Sequence, residues 1–227
     1  MSLPPTSTAG AEGVGGKEEE KRLAAELAVE LVEDGMSVGL GTGSTVAYLL
    51  PALARLQRAI TCVATSPATA AAGAALGLDV RSGGELDHLD IAIDGADQVS
   101  PERWLVKGGG GAHTREKIVA ASADRFVVIV SSDKLVERLV APVPLELLAF
   151  GLPGTLHRLG HCRLRDVPAS PDGGIIADWT ADPGDPAELA RRLEQEPGVV
   201  SHGLFPPGMV SDVIVGRHGG AELIAPG

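Results

Sequence analysis

Short apolar runs alternate with helix-like runs from residue 17 to residue 130, and this alternation limits the fold more than any other feature of the chain. The apolar, strand-like runs lie at residues 36–40, 60–64, 78–80, 89–93, 104–106 and 126–130. The helical patterns lie at residues 17–34, 44–56, 67–76 and 112–122. Repeated strand, turn and helix units predict an α/β protein with a mostly parallel sheet and helices on both of its faces.

Two of these helices carry boundary signals in their own residues. Ser66 is suited to cap a helix, Pro67 to occupy its first position, and Gly77 to end it. Ser44 or Thr45 is expected to cap the helix at residues 44–56 in the same way.

A second, smaller domain is predicted after two prolines, Pro142 and Pro144. Strand-like and helix-like runs follow there at residues 145–150, 154–159, 162–165, 175–179, 186–196 and 199–204. Their order is βαββαβ, the pattern of a small ferredoxin-like α+β domain. We therefore expect one domain at residues 142–205 and another at residues 17–141 and 206–227, to which an apolar strand at residues 210–215 returns. Residues 1–16 are small, polar and rich in Gly and Pro without a signal-peptide pattern, and they predict a disordered leader.

Charge and cysteine content narrow the class of partner. Lys and Arg number 19 and Asp and Glu number 30, which gives a formal charge of −11 and disfavours nucleic-acid or anionic-membrane surfaces. Any anionic ligand must then be held by local positive features. The two cysteines, Cys62 and Cys162, lack CxxC spacing, and the apolar runs are too short to cross a bilayer. We expect a soluble, reduced, cytoplasmic protein.

The stretch GLGTGST at residues 39–45 predicts a phosphate site between a strand and a helix. It lacks the lysine of a P-loop, and Ser44 stands where the dinucleotide fingerprint needs its last glycine, so neither ATP nor NAD is favoured. Backbone amides and three hydroxyls at a helix N-terminus suit a monophosphate. An ordinary strand-to-helix turn is the alternative interpretation.

Carboxylates and glycines concentrate in the segment DGADQVSPERWLVKGGGGAHTREK at residues 94–117. Asp94 and Asp97 follow an apolar strand, so both carboxylates are expected to face a crevice at the strand ends, with a turn and a helix cap as the alternative. Four successive glycines beside Lys107 indicate backbone amides that are exposed to an oxygen. Glu116, one turn into the next helix, is either directed back to that loop or a solvated helix residue.

No metal site is predicted. His157 and His161 are four residues apart and Cys162 follows, but no second pair of ligands accompanies them and Gly160 interrupts the helix face. His113, next to the glycine run, is expected to line the pocket without acting.

Taken together, these segments resemble the type A ribose-5-phosphate isomerases over residues 21–220. The resemblance rests on GLGTGSTVAYLL, TSPAT, DIAIDGADQV, KGGGGAHTREKIVA and PGVVSHGLF, and on the spacing from Asp94 to Lys107 to Glu116. It implies a Rossmann-like domain with a small α+β domain, interconversion of D-ribose 5-phosphate and D-ribulose 5-phosphate through an enediol, no cofactor, and a homodimer or homotetramer. Glu116 is implied as the general base, with Asp94, Asp97 and Lys107 as the other catalytic groups. The substrate-binding residues implied are Lys21, Thr42, Gly43, Ser44, Thr45, Asp94, Gly95, Ala96, Asp97, Lys107, Gly108, Gly109, Gly110 and Lys134.

The chain departs from the family pattern at three places. Gln98 stands where Glu is usual, His113 where an apolar residue is usual, and SPDGGIIAD replaces a TDNGN-like turn. We expect these changes to bear on rate, subunit contacts and substrate preference more than on reaction type. A sugar-phosphate sensor without catalysis, and an isomerase or deaminase of another phosphosugar, are the alternative functions.

Overall fold

The computed structural model describes residues 9–224, with side chains from Gly16 onward except at Glu85. Its α-helices are α1 (Ala9–Val29), α2 (Val46–Leu56), α3 (Pro67–Ala75), α4 (His113–Ala121), α5 (Leu152–Leu159) and α6 (Pro186–Glu194). Its strands are β1 (Ser37–Leu40), β2 (Thr61–Ala64), β3 (Asp79–Arg81), β4 (Leu89–Asp94), β5 (Gln98–Val99), β6 (Leu105–Val106), β7 (Ala123–Ser131), β8 (Val143–Leu147), β9 (Cys162–Leu164), β10 (Ile175–Trp179), β11 (Val199–His202), β12 (Leu204–Phe205), β13 (Asp212–Arg217) and β14 (Gly220–Ile224).

A seven-stranded sheet of order β14-β13-β7-β4-β1-β2-β3 forms the larger layer. All of its pairs are parallel except β13 with β14. Successive residues of β4 and β7 enter opposite cores: Ile91 and Ile93 pack with α1 and α2, whereas Ala92 packs with α4. This alternation places helices on both faces, as the sequence predicts, and leaves the strand ends open for a site.

Helix α1 differs from its predicted range at both ends. It begins at Ala9 and not at residue 17, because residues 9–16 belong to the helix but carry no apolar stripe that periodicity could detect. It ends at Val29, and tighter turns continue, with the amides of Leu31 and Val32 bonding three residues back. The disordered leader predicted for residues 1–16 stays a prediction, and residues 1–8 lie outside the described range.

The second sheet has four antiparallel strands in the order β11-β8-β10-β9, with α5 and α6 connecting them. This arrangement confirms the predicted βαββαβ order and the ferredoxin-like sheet. Leu145, Leu147, Leu159, Trp179 and Leu193 form part of its core. All elements of this sheet lie between residues 143 and 202, while the exact domain limits at residues 142 and 205 stay a prediction.

A three-stranded sheet, β12-β6-β5, joins the two larger ones and was not predicted. The sequence favours one strand at residues 199–204, but Gly203 separates β11 from β12. Its amide donates to Pro144 O (2.7 Å) and its carbonyl accepts from the Lys107 amide (2.8 Å). A Cβ at residue 203 would lie 2.1 Å from Lys107 O, so only glycine permits this crossing of chains.

Of the helices within residues 9–224, none combines the length and the apolar character that a bilayer span demands.

Candidate active site

The loop after β1 packs its backbone directly against the end of β4. The amide of Gly41 donates to the carbonyl of Ile93 (3.0 Å), and the amide of Thr42 donates to Oδ1 of Asp94 (3.1 Å). A Cβ at residue 41 would lie 1.9 Å from the same Oδ1. Glycine at this position is therefore what lets the loop and the carboxylate come together.

Ser44 and Thr45 end this loop at the N-terminus of α2. The expectation that one of them caps α2 is wrong: Thr45 precedes the helix with a helical φ of −74° and ψ of −40°, and its side chain makes no capping bond. A capping residue needs an extended backbone, which turns its hydroxyl onto the first amides. These two hydroxyls are therefore not used as caps, and they lie beside helix-terminal amides that favour an anion.

Three ionisable side chains from separate elements meet beneath the loop. Asp94 ends β4, Lys107 follows β6, and Glu116 lies in the first turn of α4. Nζ of Lys107 lies 2.8 Å from Oδ2 of Asp94 and 3.1 Å from Oε2 of Glu116, and the three side chains are at most 4% exposed. One ammonium thus faces two carboxylates where little water can screen them.

Burial and charge set the protonation of this trio. Burial raises the pKa of Glu116 to about 8, and the charge of Asp94 adds to the rise while Lys107 opposes it. Burial likewise raises the pKa of Asp94 against the effect of Lys107. Burial acts to lower the pKa of Lys107, but Asp94 and Glu116 outweigh it and raise that pKa. Lys107 therefore stays protonated, while Glu116 can lose and regain a proton near neutral pH.

Asp94 and Asp97 lie in different surroundings, so the expectation that both face the crevice holds for Asp97 alone. Asp97 is exposed, and its Oδ2 accepts from the amide of Gly109 (2.8 Å). Asp94 is buried below, and its Oδ1 accepts from the amides of Thr42 and Gly95 (3.1 and 2.7 Å). Asp97 can therefore contact a ligand, whereas Asp94 interacts with the buried charges of Lys107 and Glu116.

These groups surround one hollow of about 230 Å³, which we call the polar cleft. It is lined by Thr42, Gly43, Ser44, Thr45, Gly95, Ala96, Asp97, Lys107, Gly108, Gly109, Gly110, Glu116 and Lys134. The lining holds every site residue predicted from the sequence except Lys21 and Asp94. Its size is below that of most sites for drug-sized ligands and suits a small polar molecule.

The two lysines predicted to bind the substrate from outside the glycine segments, Lys134 and Lys21, lie in different places. Lys134 lines the polar cleft from a short turn after β7, where Glu20 accepts from the amide and hydroxyl of Ser132 (2.9 and 2.8 Å). Lys21 does not line the cleft. Its ammonium lies 2.6 Å from Oε1 of Glu18, one turn away on the same helix.

Two residues near the glycines differ from their sequence interpretation. Arg165 was not singled out, yet its Nη1 donates to the carbonyls of Gly108 (3.0 Å) and Gly109 (3.1 Å). No motif marks this contact, because the partners are 56 and 57 residues apart in sequence. His113 was expected to line the pocket, but it is fully buried behind the loop, and burial lowers its pKa to about 4.

Other hollows and clusters offer less chemistry. Open grooves of about 510 and 390 Å³ are larger than the polar cleft, but neither lining includes a lysine. Among residues 9–224, no group of three or more His, Cys, Asp or Glu side chains is arranged to hold a metal ion. Unlike these two grooves, the polar cleft combines a glycine and hydroxyl loop at a helix N-terminus with the buried side chains of Lys107 and Glu116.

Comparison with known proteins identifies the family. The family Ribose 5-phosphate isomerase A (phosphoriboisomerase A) matches residues 61–220. The chain belongs to this family. A curated relative, the ribose-5-phosphate isomerase A of Roseiflexus sp. (strain RS-1), is 46% identical over 225 residues, which cover 91% of this chain and 96% of that protein.

Solved structures of the family share the fold. Ribose 5-phosphate isomerase A from Neisseria gonorrhoeae superposes with a TM-score of 0.88 at 33% identity, over 93% of this chain and 98% of that one. A D-ribose-5-phosphate isomerase in complex with phospho-erythronic acid superposes with a TM-score of 0.86 at 33% identity, over 92% and 99%. The predicted fold class, a mostly parallel α/β sheet with a smaller sheet domain, is thereby confirmed.

Proposed function

We propose that the polar cleft interconverts D-ribose 5-phosphate and D-ribulose 5-phosphate, and that Glu116 carries the proton between carbons 2 and 1. The observation that carries the proposal is the contact of Lys107 with Glu116 at 3.1 Å, at the floor of a cleft that also holds a phosphate-type loop. The names of the family and of its relatives support the same reaction.

Glu116 is suited to a transfer in two directions. In the open aldehyde form its carboxylate takes the proton from carbon 2, and the electron pair moves through the carbon 1–carbon 2 bond to the aldehyde oxygen. The protonated Glu116 then returns the proton to carbon 1, while the hydroxyl proton on oxygen 2 passes to oxygen 1. A pKa raised to about 8 favours both steps, because base and acid forms are then close in free energy near neutral pH.

Lys107 and the glycine amides are placed to stabilise the negative charge that develops on the substrate between these two steps. The enediolate carries a negative oxygen, and Lys107, Gly108, Gly109 and Gly110 line the cleft beside Glu116. A preorganised donor at such an oxygen stabilises the transition state by about 3 kcal/mol. The relative that binds phospho-erythronic acid is consistent with this role, since a planar carboxylate resembles a planar enediolate.

The other end of the cleft is proposed to hold the phosphate. Gly43, Ser44 and Thr45 supply amides and hydroxyls at the start of α2, and Lys134 supplies a cation. Asp97, exposed in the cleft, is proposed to orient the ring hydroxyls during ring opening, whereas Asp94 holds Lys107. Lys21 lies outside this arrangement because it pairs with Glu18.

Steady-state assays with both phosphosugars, on the natural chain and on Glu116→Gln, test the proposal. Turnover in the natural chain and its loss in the variant support it. Binding of ribose 5-phosphate without turnover would indicate a sensor, and turnover of a different phosphosugar alone would indicate another isomerase or deaminase. A homodimer or homotetramer, and a cytoplasmic location, stay predictions that sedimentation and cell fractionation test.

A further inference from the structure

Arg165 reaches from the small sheet to the glycines of the polar cleft. It follows β9, and its Nη1 donates to Gly108 O (3.0 Å) and Gly109 O (3.1 Å). Asp178 of β10 holds the rest of the guanidinium: Nη2 lies 2.6 Å from Oδ1, and Nε lies 3.0 Å from both oxygens. The Arg165 and Asp178 side chains are 17% and 7% exposed, so the fork is held in a largely dry place.

Because the peptide bond is planar, this contact also fixes the direction in which the neighbouring amides point. In a planar trans peptide, the carbonyl and the amide hydrogen point in opposite directions. Holding the carbonyls of Gly108 and Gly109 toward Arg165 therefore directs the amides of Gly109 and Gly110 to the other side. That side is the polar cleft, since the Gly109 amide donates to Asp97 and Gly110 is part of the lining.

The glycines themselves do not secure this orientation. Glycine has more backbone freedom than any other residue, and the run at residues 108–111 belongs to neither a strand nor a helix. Within the run, one backbone bond, from the Gly111 amide to Gly108 O (3.1 Å), ties the loop to itself. The carbonyl of Gly109 has Arg165 as its partner.

We propose that Arg165, held by Asp178, is a positioning residue that directs the amide of Gly110 at the reacting end of the substrate and the amide of Gly109 at Asp97 in the polar cleft. This inference rests on the proposed isomerase function. It assigns a role in the chemical step to the small sheet, which contributes no side chain to the lining of the cleft. Because Arg165 acts through the loop, its loss lowers kcat more than it raises KM.

A second arginine fork offers a matched control. Arg115 of α4 binds Asp172 through two bonds of 2.8 and 2.7 Å and also reaches Pro171 O. It therefore links the large and small parts of the molecule as Arg165 does, but it does not contact the glycine run. If Arg165 mattered only as a link between the two parts, substitution of either arginine would lower kcat to a similar extent.

Kinetics of Arg165→Gln, Arg165→Lys, Asp178→Asn and Arg115→Gln test the role. We expect kcat to fall about a hundredfold in Arg165→Gln with KM changed less than about threefold, a smaller fall in Asp178→Asn, and little change in Arg115→Gln. Lysine keeps the charge without the fork, so Arg165→Lys should recover only part of kcat. Inhibition by phospho-erythronic acid should weaken in parallel with the fall in kcat/KM, because both depend on the orientation of the glycine amides.

The outcomes separate this inference from the proposed function. No turnover in the natural chain contradicts the function itself. If the natural chain turns over normally, two results overturn the positioning role alone. One is an unchanged kcat in Arg165→Gln. The other is a fall in kcat that is equal in Arg165→Gln and Arg115→Gln and that follows their loss of thermal stability. If Arg165→Gln does not fold, an unchanged kcat in both Asp178→Asn and Arg165→Lys overturns it equally.

Discussion

Nζ of Lys107 lies 3.1 Å from Oε2 of Glu116, and both side chains are almost completely buried. In the proposed mechanism, this pair places the base next to the cation that stabilises the product of its action. Glu116 would become neutral on taking a proton, and the ammonium would then be freer to attract the new negative charge on the substrate. The third partner, Asp94, keeps the pKa of Lys107 high enough that the cation persists throughout.

The pH dependence of kcat/KM should follow Glu116. Because its pKa is raised to about 8 by burial and by Asp94, kcat/KM should rise as pH increases toward 8 and not level off near 5. Asp94→Asn removes the neighbouring negative charge, so the remaining activity should show its acid limb at lower pH. A limb that stays in place in Asp94→Asn contradicts this coupling. Profiles of both proteins from pH 5 to 10 provide the measurement.

Lys107→Met should lower stability in a pH-dependent way. It leaves Asp94 and Glu116 buried without a counter-charge, which costs about 3–5 kcal/mol in comparable cases. Folding raises the pKa of both carboxyl groups, so their protonated forms stabilise the folded state. This contribution is complete below the pKa of the unfolded chain and is lost as pH rises through the pKa of the folded state. Urea unfolding at pH 6 and pH 9 should show the larger loss at pH 9. Equal losses at both pH values contradict the account, and Lys17→Met, exposed on α1, is the control.

Gly41→Ala should disturb the site through Asp94. The added methyl group would lie 1.9 Å from Oδ1 of Asp94, so the loop or the carboxylate must shift. We expect a loss of about 1–3 kcal/mol in the free energy of unfolding and a fall in kcat. Gly208→Ala is a matched control because a Cβ there meets nothing within 4 Å. Similar thermal unfolding and similar kcat values in the two variants would count against the tight fit at Gly41.

Lys134→Ala should weaken binding of the phosphate end. A hydrogen bond to a charged group contributes about 1.5–3 kcal/mol, so KM for ribose 5-phosphate should rise roughly tenfold to a hundredfold with a smaller change in kcat. Inorganic phosphate should lose its effect as a competitive inhibitor in parallel. An unchanged KM would remove Lys134 from the phosphate site. Lys21→Ala, which we place outside the cleft, should leave KM close to the natural value.

The sequence predicts what depends on local or periodic signals. Helix α3 begins at Pro67 after a Ser66 side chain that accepts from the amide of Thr69, as the residues themselves indicate. The position of Arg165 could not be predicted, since no pattern signals which distant carbonyls a guanidinium reaches. Burial likewise separates Asp94 from Asp97, although the two look equivalent in sequence. The contacts of Gln98 could not be predicted either. Its side-chain amide donates to the carbonyl and accepts from the amide of Val140 (2.8 Å each), and a carboxylate cannot make both of these bonds.

Proton exchange with solvent tests the central role of Glu116 most directly. In deuterated water the natural chain should incorporate deuterium at carbon 1 of ribulose 5-phosphate and at carbon 2 of ribose 5-phosphate, as NMR can measure. Glu116→Gln, which keeps the shape of the side chain, should bind ribose 5-phosphate with similar affinity but lose exchange and turnover by about a hundredfold to ten-thousandfold. Glu30→Gln, an exposed control, should behave as the natural chain does. Exchange and turnover in Glu116→Gln within a few-fold of the natural chain would contradict the account.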